Sequence, residues 1–237
     1  MRVETGWVGR WGRVVGRAAL AAMLWLGGAT EVVASGEHKV PDLRGEGGTR
    51  AKAKQAALRI PLTVHVATES ERIAMDPRRL TRSVERTNQA LAVYGIEVYI
   101  ARITLLPEGY AGIKHRRDRR RLAEFAPADG TIHVFLVDTV ELGSTLRVDR
   151  SVRGLHWRYR GLRRKLRNRE YLIIGSDAPA TTLAHELGHL FGLEHEDGRQ
   201  NLMCSCREGP RQLFTRMQGQ QILRGALAFV ERTRGRV

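Results

Sequence analysis

The sequence predicts an α+β domain in which strands and helices follow one another from residue 58 onward. Three observations predict this class. Short segments with apolar residues at every second position are separated by a segment with apolar residues at helical spacing. A histidine-rich helical segment follows the last of these strands, and another helical segment follows it. The hydrophobic fraction of 42% is near the globular average and predicts a packed core.

Five segments have the composition of β-strands. Val, Ile, Leu, Thr and Tyr are frequent in them, and apolar and polar residues alternate in most of them. The segments cover residues 58–68, 96–106, 131–140, 154–160 and 171–175. The third is apolar on both faces, which predicts a central strand. The fourth is more polar, which predicts a strand at the edge of the sheet.

Three helices are predicted, two of them from clear end signals. They cover residues 77–94, 179–191 and 216–232. The first has Asp76 as its N-cap, a proline at its first position and Gly95 as its stop signal. The last has Thr215 as its N-cap and Gln218 three residues on, which together predict a capping box.

The first 57 residues differ from the rest of the chain. Residues 1–35 combine four arginines, an apolar run of eleven residues and a small-residue cleavage site, which predicts a signal peptide. An N-terminal membrane anchor is the alternative, although a spanning helix needs about 20 apolar residues. Residues 36–57 are rich in glycine and charge and predict a linker or a short pro-segment. The folded domain is then 58–237, in a protein expected to be secreted or periplasmic.

The chain is strongly basic, with 40 Lys and Arg against 25 Asp and Glu, a net charge of +15. Two basic runs, 114–121 and 158–169, lie between predicted strands and are expected to be solvated faces. Apart from Trp157 and Tyr159 they lack the aromatic residues of a single-strand nucleic-acid surface, so no specific nucleic-acid partner is expected. Acidic substrates, transient contact with envelope polyanions and nucleic acid bound through charge alone stay open.

Three histidines and a glutamate have the spacing of a catalytic zinc site. His185 and His189 lie one turn apart on the same face of a helix, so both rings reach one metal ion. Gly192 ends that helix and lets His195 return as a third ligand. Three neutral nitrogens leave a fourth position open, which is typical of catalytic rather than structural zinc. Glu186 is placed beside the site as general base.

The segment from His185 to His195 resembles the extended zinc-binding motif of the metzincins, H-E-x-x-H-x-x-G-x-x-H. Met203, eight residues later, resembles the methionine of the family's Met-turn, at a spacing similar to that of matrixins. The residue after the third histidine, Glu196, is the one that astacins carry. The order of strands and helices from 58 to 232 also resembles the family.

This resemblance implies a metzincin-like fold and a reaction. The fold is a twisted, mainly parallel five-stranded sheet with an active-site helix, a Met-turn and a C-terminal helix. The implied protein is a secreted zinc metalloendopeptidase that cleaves protein or peptide substrates through a zinc-activated water, with Glu186 as general base. One catalytic Zn²⁺ is expected, and calcium is not indicated because the sequence has no convincing acidic cluster for it. The oligomeric state and the cleavage specificity stay open.

Several residues outside the motif have more than one interpretation. His156 and Trp157, on the predicted edge strand, are candidates to line a substrate cleft, because an edge strand can pair with an extended peptide. Cys204 and Cys206 are the only cysteines. They bridge each other, stay as buried thiols, or bind a metal or a second chain. The alternatives to the peptidase are a zinc amidase and an exported basic binding protein with a non-catalytic zinc site.

Overall fold

The computed structural model describes residues 58–70, 72–144, 147–205 and 213–234. The predicted signal peptide 1–35 and the predicted linker 36–57 lie outside the described residues, as does Cys206. Among the helices of the described ranges, none is both long enough and apolar enough to cross a membrane.

Strands and helices alternate along the described chain, with the strands concentrated before residue 176. In chain order the elements are β1 (Leu58–Val66), β2 (Thr68–Glu69), β3 (Arg72–Ile73), α1 (Pro77–Leu91), β4 (Ile96–Leu105), β5 (Gly112–Ile113), α2 (Arg116–Leu122), β6 (Ile132–Val137), β7 (Thr139–Ser144), β8 (Arg147–Val152), β9 (Gly154–Arg158), β10 (Glu170–Gly175), α3 (Thr182–Leu190) and α4 (Arg216–Arg234).

The main sheet has five strands in the order β4-β1-β6-β10-β9. The first four are parallel to one another, and β9 is antiparallel to β10. The mainly parallel five-stranded sheet is therefore confirmed. The apolar strand β6 is central and the more polar β9 is at one end, as the composition of each predicted. Helices or loops cover both faces of the inner strands, which therefore bury both sets of side chains, whereas a strand at the end of the sheet is less enclosed.

The two faces of the sheet bury different sets of side chains, because neighbouring residues of a strand point to opposite sides. Leu62, Val64 and Leu172 pack with the apolar residues of α1, α3 and α4 in one core cluster. Phe135 and Tyr171 belong to the second cluster, which is covered by α2 and by the segment around residue 166. The histidine-bearing helix α3 therefore lies on one defined face of the sheet.

Two predicted elements had wrong bounds, and one helix was not predicted. The predicted strand 131–140 is two strands, because the chain bends at Asp138 and β7 leaves the main sheet to pair with β5 and β8. The histidine helix is shorter than 179–191 and begins at Thr182. The basic run 114–121 contains helix α2, which the sequence pattern did not predict because only Arg119 and Leu122 of that helix are buried.

The predicted helix ends are confirmed where a side chain caps them. The Asp76 carboxylate accepts a hydrogen bond from the Arg78 backbone N–H at 2.7 Å. At the start of α4, the Thr215 N–H donates to Gln218 Oε1 at 2.9 Å, and the Gln218 N–H donates to Thr215 Oγ1 at 3.3 Å. Such reciprocal bonds satisfy backbone donors that the first turn leaves unpaired.

Candidate metal centre

Helix α3 carries two of the three histidines and ends in a turn that positions the third. His185 and His189 point to the same side, with ring centroids 4.8 Å apart. Gly192 follows with a φ of +94°, a left-handed conformation that glycine adopts without strain. The Leu193 N–H donates back to the Gly188 carbonyl at 2.9 Å. This turn reverses the chain and brings His195 back to the helix.

The ring nitrogens of the three histidines converge on one point. One nitrogen from each ring lies within 4.8 Å of the others. His189 Nε2 and His195 Nε2 are 3.2 Å apart. Nitrogens bound to one tetrahedral zinc at ordinary bond lengths are separated by about 3.3 Å. One pair of nitrogens already has this separation, and three convergent imidazole nitrogens are a donor set that fits zinc.

Backbone carbonyls select the imidazole tautomer that can bind a metal. His185 Nδ1 donates to the Leu202 carbonyl at 2.6 Å, and His189 Nδ1 donates to the Leu193 carbonyl at 2.8 Å. With the proton on Nδ1, the lone pair is on Nε2, which faces the convergence point. Burial, and to a smaller extent the nearby His195, lower the pKa of His189 and favour this neutral form.

Glu186 lies beside the three histidines in a nearly dry environment. Its exposed fraction is 4%. Burial raises the pKa of its carboxyl to about 8, and a hydrogen bond from the backbone of His156 acts in the opposite direction. A divalent cation among the histidines would favour the carboxylate, because an opposite charge nearby stabilises the ionised form.

A methionine packs directly beneath the histidine helix. Met203 is fully buried. Its backbone N–H donates to Asn201 Oδ1 at 2.7 Å, which closes the turn. A Cβ at Gly188 would lie 2.5 Å from the Met203 sulfur, so the helix and the methionine approach closely only because residue 188 is glycine.

Gln218 connects the loop of the third histidine to helix α4. Its Nε2 donates to Glu196 Oε2 at 2.5 Å, and its Oε1 accepts from Asn201 Nδ2 at 3.2 Å. Glu196 also donates its backbone N–H to the Met203 carbonyl at 3.1 Å. The sequence indicated Gln218 only as a capping residue, because its long-range partners become visible only when α4 packs against this loop.

The edge strand β9 borders the centre, and its two candidate residues lie on opposite faces. His156 is opposite Leu172 and therefore faces the same side as α3. Trp157 packs in the second core cluster, under the Arg119 guanidinium at 4.9 Å from its ring centroid. The structure thus brings His156 toward the histidine centre and turns Trp157 away from it.

Close contact between β9 and α3 depends on Gly154. A Cβ there would lie 2.5 Å from Thr182 Cγ2 and 2.6 Å from Glu186 Oε1. Sequence reasoning missed this residue, since a glycine at the start of a strand has no local signature of a contact with a helix 28 or more positions away. Its absent side chain is what lets Glu186 reach the backbone of the edge strand.

Cys204, next to the buried methionine, is itself 4% exposed. It is disulfide-bonded, so among the three interpretations of this residue the free thiol is excluded. A disulfide sulfur is not a thiolate and does not compete with the histidines for a metal.

No protein-family model and no curated protein sequence matches the chain. Metalloproteinase-II from Bacteroides fragilis aligns over 74% of this chain and 55% of its own length, with 16% identity and a TM-score of 0.48. Archaemetzincin from Methanopyrus kandleri aligns over 71% of this chain and 96% of its own, with 19% identity and a TM-score of 0.47. A chain of a chaperone–substrate complex aligns over 74% of this chain and 36% of its own, with 11% identity and a TM-score of 0.47. This chain thus spans about half the length of the Bacteroides protein.

Proposed function

We propose that this protein is an exported, zinc-dependent metalloendopeptidase of the metzincin type. The observation that carries the proposal is the convergence of three imidazole nitrogens within 4.8 Å, beside a buried glutamate. In this proposal His185, His189 and His195 hold one Zn²⁺. The substrate is a protein or peptide, and export follows from the signal peptide expected in residues 1–35.

Glu186 performs the proton transfers of hydrolysis. Zinc, when bound, supplies Lewis acidity, which lowers the pKa of a water molecule and polarises the scissile carbonyl. Glu186 accepts the proton of the attacking water and then delivers it to the nitrogen of the leaving amine. Its burial keeps bulk water from competing for that proton, and Met203 supports the helix from below as a Met-turn.

The free edge of β9 is the proposed binding site for the substrate backbone. Since β9 is the last strand of its sheet, the backbone groups on its outer side can pair with an extended peptide. Proximity of Glu186 to β9 supports this proposal, since a Cβ at Gly154 of that strand would lie 2.6 Å from Glu186 Oε1. His156 then lines the cleft, and Trp157 supports the strand from the opposite face.

The test is chelator-sensitive cleavage of internal peptide bonds. The full chain, with zinc content measured, is incubated with a broad peptide library, with and without chelator. Glu186→Gln is expected to bind zinc and to lose about 10²–10⁴-fold in rate, which is the usual contribution of a general base. Glu85→Gln, an exposed glutamate on α1, is the matched control and is expected to retain full activity. Zinc-loaded protein without turnover on any peptide would contradict the proposal.

The alternative is an exported basic binding protein with a non-catalytic zinc site. The net charge of +15 favours it, because such a charge attracts anionic partners without any reaction. Its signature is bound zinc without hydrolysis, together with salt-sensitive binding to anionic polymers. A zinc amidase would instead hydrolyse amides that are not internal peptide bonds.

A further inference from the structure

The two basic runs, which are 37 residues apart at their nearest ends, lie together in the fold. Arg169 Nη1 donates to the Ala123 carbonyl at 2.9 Å, and Arg163 forms an ion pair with Glu124. Tyr159 and Leu166 pack in the same buried cluster as residues of α2 and the turn after it. Helix α2 and the segment 159–169 therefore form one continuous surface.

This surface is held in place by a buried arginine. Arg119 is 5% exposed, and its Nη1 donates to the Glu141 carbonyl at 2.7 Å. Its guanidinium also covers the ring of Trp157, and its own carbonyl accepts from the Tyr171 hydroxyl at 2.5 Å. These contacts hold α2 against the side of β9 and β10 that faces away from α3.

Most of the exposed side chains of this surface are cationic; the others include Leu162 and Asn168. We define the basic surface by its exposed lysines and arginines: Lys114, Arg116, Arg117, Arg121, Arg160, Arg163, Arg164, Lys165 and Arg167. Of the two nearby acids, Glu124 pairs with Arg163, and Asp118 accepts from the backbone N–H groups of residues 114 and 115.

Among the described residues, eight of these nine cations, all except Arg163, have no ion-pair partner. Within the described part of the chain, no carboxylate lies within ion-pair distance of Arg160, Arg164, Lys165 or Arg167. Like charges that share one surface repel one another and attract anions. A surface of this kind is a binding site for negative charge.

The basic surface begins where the edge strand ends. β9 runs from Gly154 to Arg158, and residue 160 is four positions beyond His156. At about 3.3 Å per residue, an extended peptide along the strand would reach the basic surface roughly 13 Å from the position of His156. One extended chain can therefore lie on the edge strand and on the basic surface together.

We propose that the basic surface binds an acidic segment of the polypeptide substrate, three to six residues to one side of the scissile bond. This inference rests on the proposed peptidase function. Seven of the nine cations are arginines, whose planar guanidinium groups match carboxylates in two-point hydrogen bonds. The surface thus selects substrates by charge at a distance from the reacting bond.

The burial of the aromatic residues near the basic surface favours a peptide over a single-stranded nucleic acid as its ligand. Tyr159 is 5% exposed, the Tyr110 ring is covered by the Arg121 guanidinium at 4.5 Å, and Trp157 is covered by Arg119. Single-stranded nucleic acids need exposed rings on which bases stack. In the described part of the basic surface, no exposed aromatic ring serves this purpose.

The test separates binding from turnover. A fluorescein-labelled peptide with an uncharged core and a four-glutamate tract is titrated with the full chain in the presence of chelator, and anisotropy is recorded. The surface variant is Arg160→Gln/Arg164→Gln/Lys165→Gln/Arg167→Gln. The matched control removes the same charge elsewhere, at the exposed positions Arg78→Gln, Arg82→Gln, Arg86→Gln and Arg224→Gln. A peptide with glutamines in place of the glutamates and a single-stranded oligonucleotide of equal charge complete the set.

The surface variant is expected to bind the acidic peptide about tenfold more weakly, since each exposed ion pair changes an affinity by about a factor of two. The control variant should change it by less than about twofold. Equal losses in both variants, equal binding of the glutamine peptide, or tighter binding of the oligonucleotide would each overturn the proposal.

Turnover is measured separately in the zinc-loaded protein. An acidic tract on one side of the scissile bond should raise kcat/KM in the native protein and not in the surface variant. If no peptide is cleaved while the charge-selective binding persists, the peptidase function fails and the binding surface stands. If neutral peptides are cleaved and the acidic tract has no effect on either side, the binding proposal alone fails.

Discussion

Replacing Gly188 with alanine tests whether the methionine below the histidine helix is packed as closely as the structure shows. A Cβ at this position would lie 2.5 Å from Met203 Sδ and 3.3 Å from its Cε. Carbon and sulfur atoms in ordinary contact are about 3.5–4.0 Å apart. Met203 is fully buried, so its side chain must move by about 1 Å against neighbours that are themselves packed.

The expected change in the free energy of unfolding has two opposing parts. Overpacking costs about 1–3 kcal/mol. Alanine is better than glycine in a helix by about 1 kcal/mol, which offsets some of that cost. The net loss is therefore about 0–2 kcal/mol, and a double-mutant cycle with Met203→Ala isolates the contact. Because the new methyl group fits the space vacated by the methionine, we expect a coupling of about 1–3 kcal/mol.

The same cycle predicts an effect on zinc. The carbonyl of Leu202, next to Met203, accepts from His185 Nδ1 at 2.6 Å. Movement of Met203 shifts this acceptor, so Gly188→Ala is expected to weaken zinc binding about tenfold, and the double variant to recover part of it. The measurements are urea unfolding of the metal-free proteins and zinc competition with a chromogenic chelator. Additivity within about 0.5 kcal/mol and an unchanged zinc affinity would refute the reasoning.

Three further predictions concern stability. Burial and the neighbouring His133 lower the pKa of His65 in the folded protein to about 4. As the pH falls, the His65 imidazole of the unfolded chain is therefore protonated at a higher pH than that of the folded protein. This contribution to the free energy of unfolding is present above pH 6.5 and is lost as the pH falls toward 4. Between these values, urea unfolding of the metal-free His65→Gln variant should give a free energy of unfolding that changes less with pH, by up to about 1.4 kcal/mol per pH unit. An unchanged dependence on pH would contradict this. Gly225→Ala would place a Cβ 2.8 Å from the Cα of Phe191, the residue after α3. Thermal unfolding is expected to show a loss of about 1–3 kcal/mol in stability, and wild-type stability would argue against that contact. Gln218→Leu removes the hydrogen bonds that the buried Gln218 amide makes to Glu196 and Asn201 and should cost about 1–3 kcal/mol. The exposed Gln220→Leu is the control, and equal effects of the two would count against the network.

Local signals predicted the parts of the fold that depend on neighbouring residues. Asp76 and Gln218 cap their helices as the spacing indicated, because a cap acts over two or three positions. The alternation in β1 and the apolar residues on both faces of β6 indicated which strands are buried. The four-residue spacing of His185 and His189 was sufficient to place both rings on one side of a helix.

Features that depend on distant contacts were not predictable. Helix α2 has almost no apolar periodicity, and it is held by Arg119 and by the surrounding cluster rather than by its own sequence pattern. The hydrogen bond of 2.9 Å between His65 and His133 joins residues that are 68 positions apart. No property of either residue in isolation indicates that its ring faces the other.

The sequence by itself determined the donor types and spacing of the histidine centre, the succession of the main strands along the chain and the edge position of β9. These follow from periodicity and capping, which act within a few residues. Only the tertiary structure decided which carbonyls orient the imidazoles, why residues 154 and 188 must be glycine, and that the two basic runs form one surface. Such features depend on contacts between elements that are remote in sequence, and these contacts are set by the close packing of the protein interior.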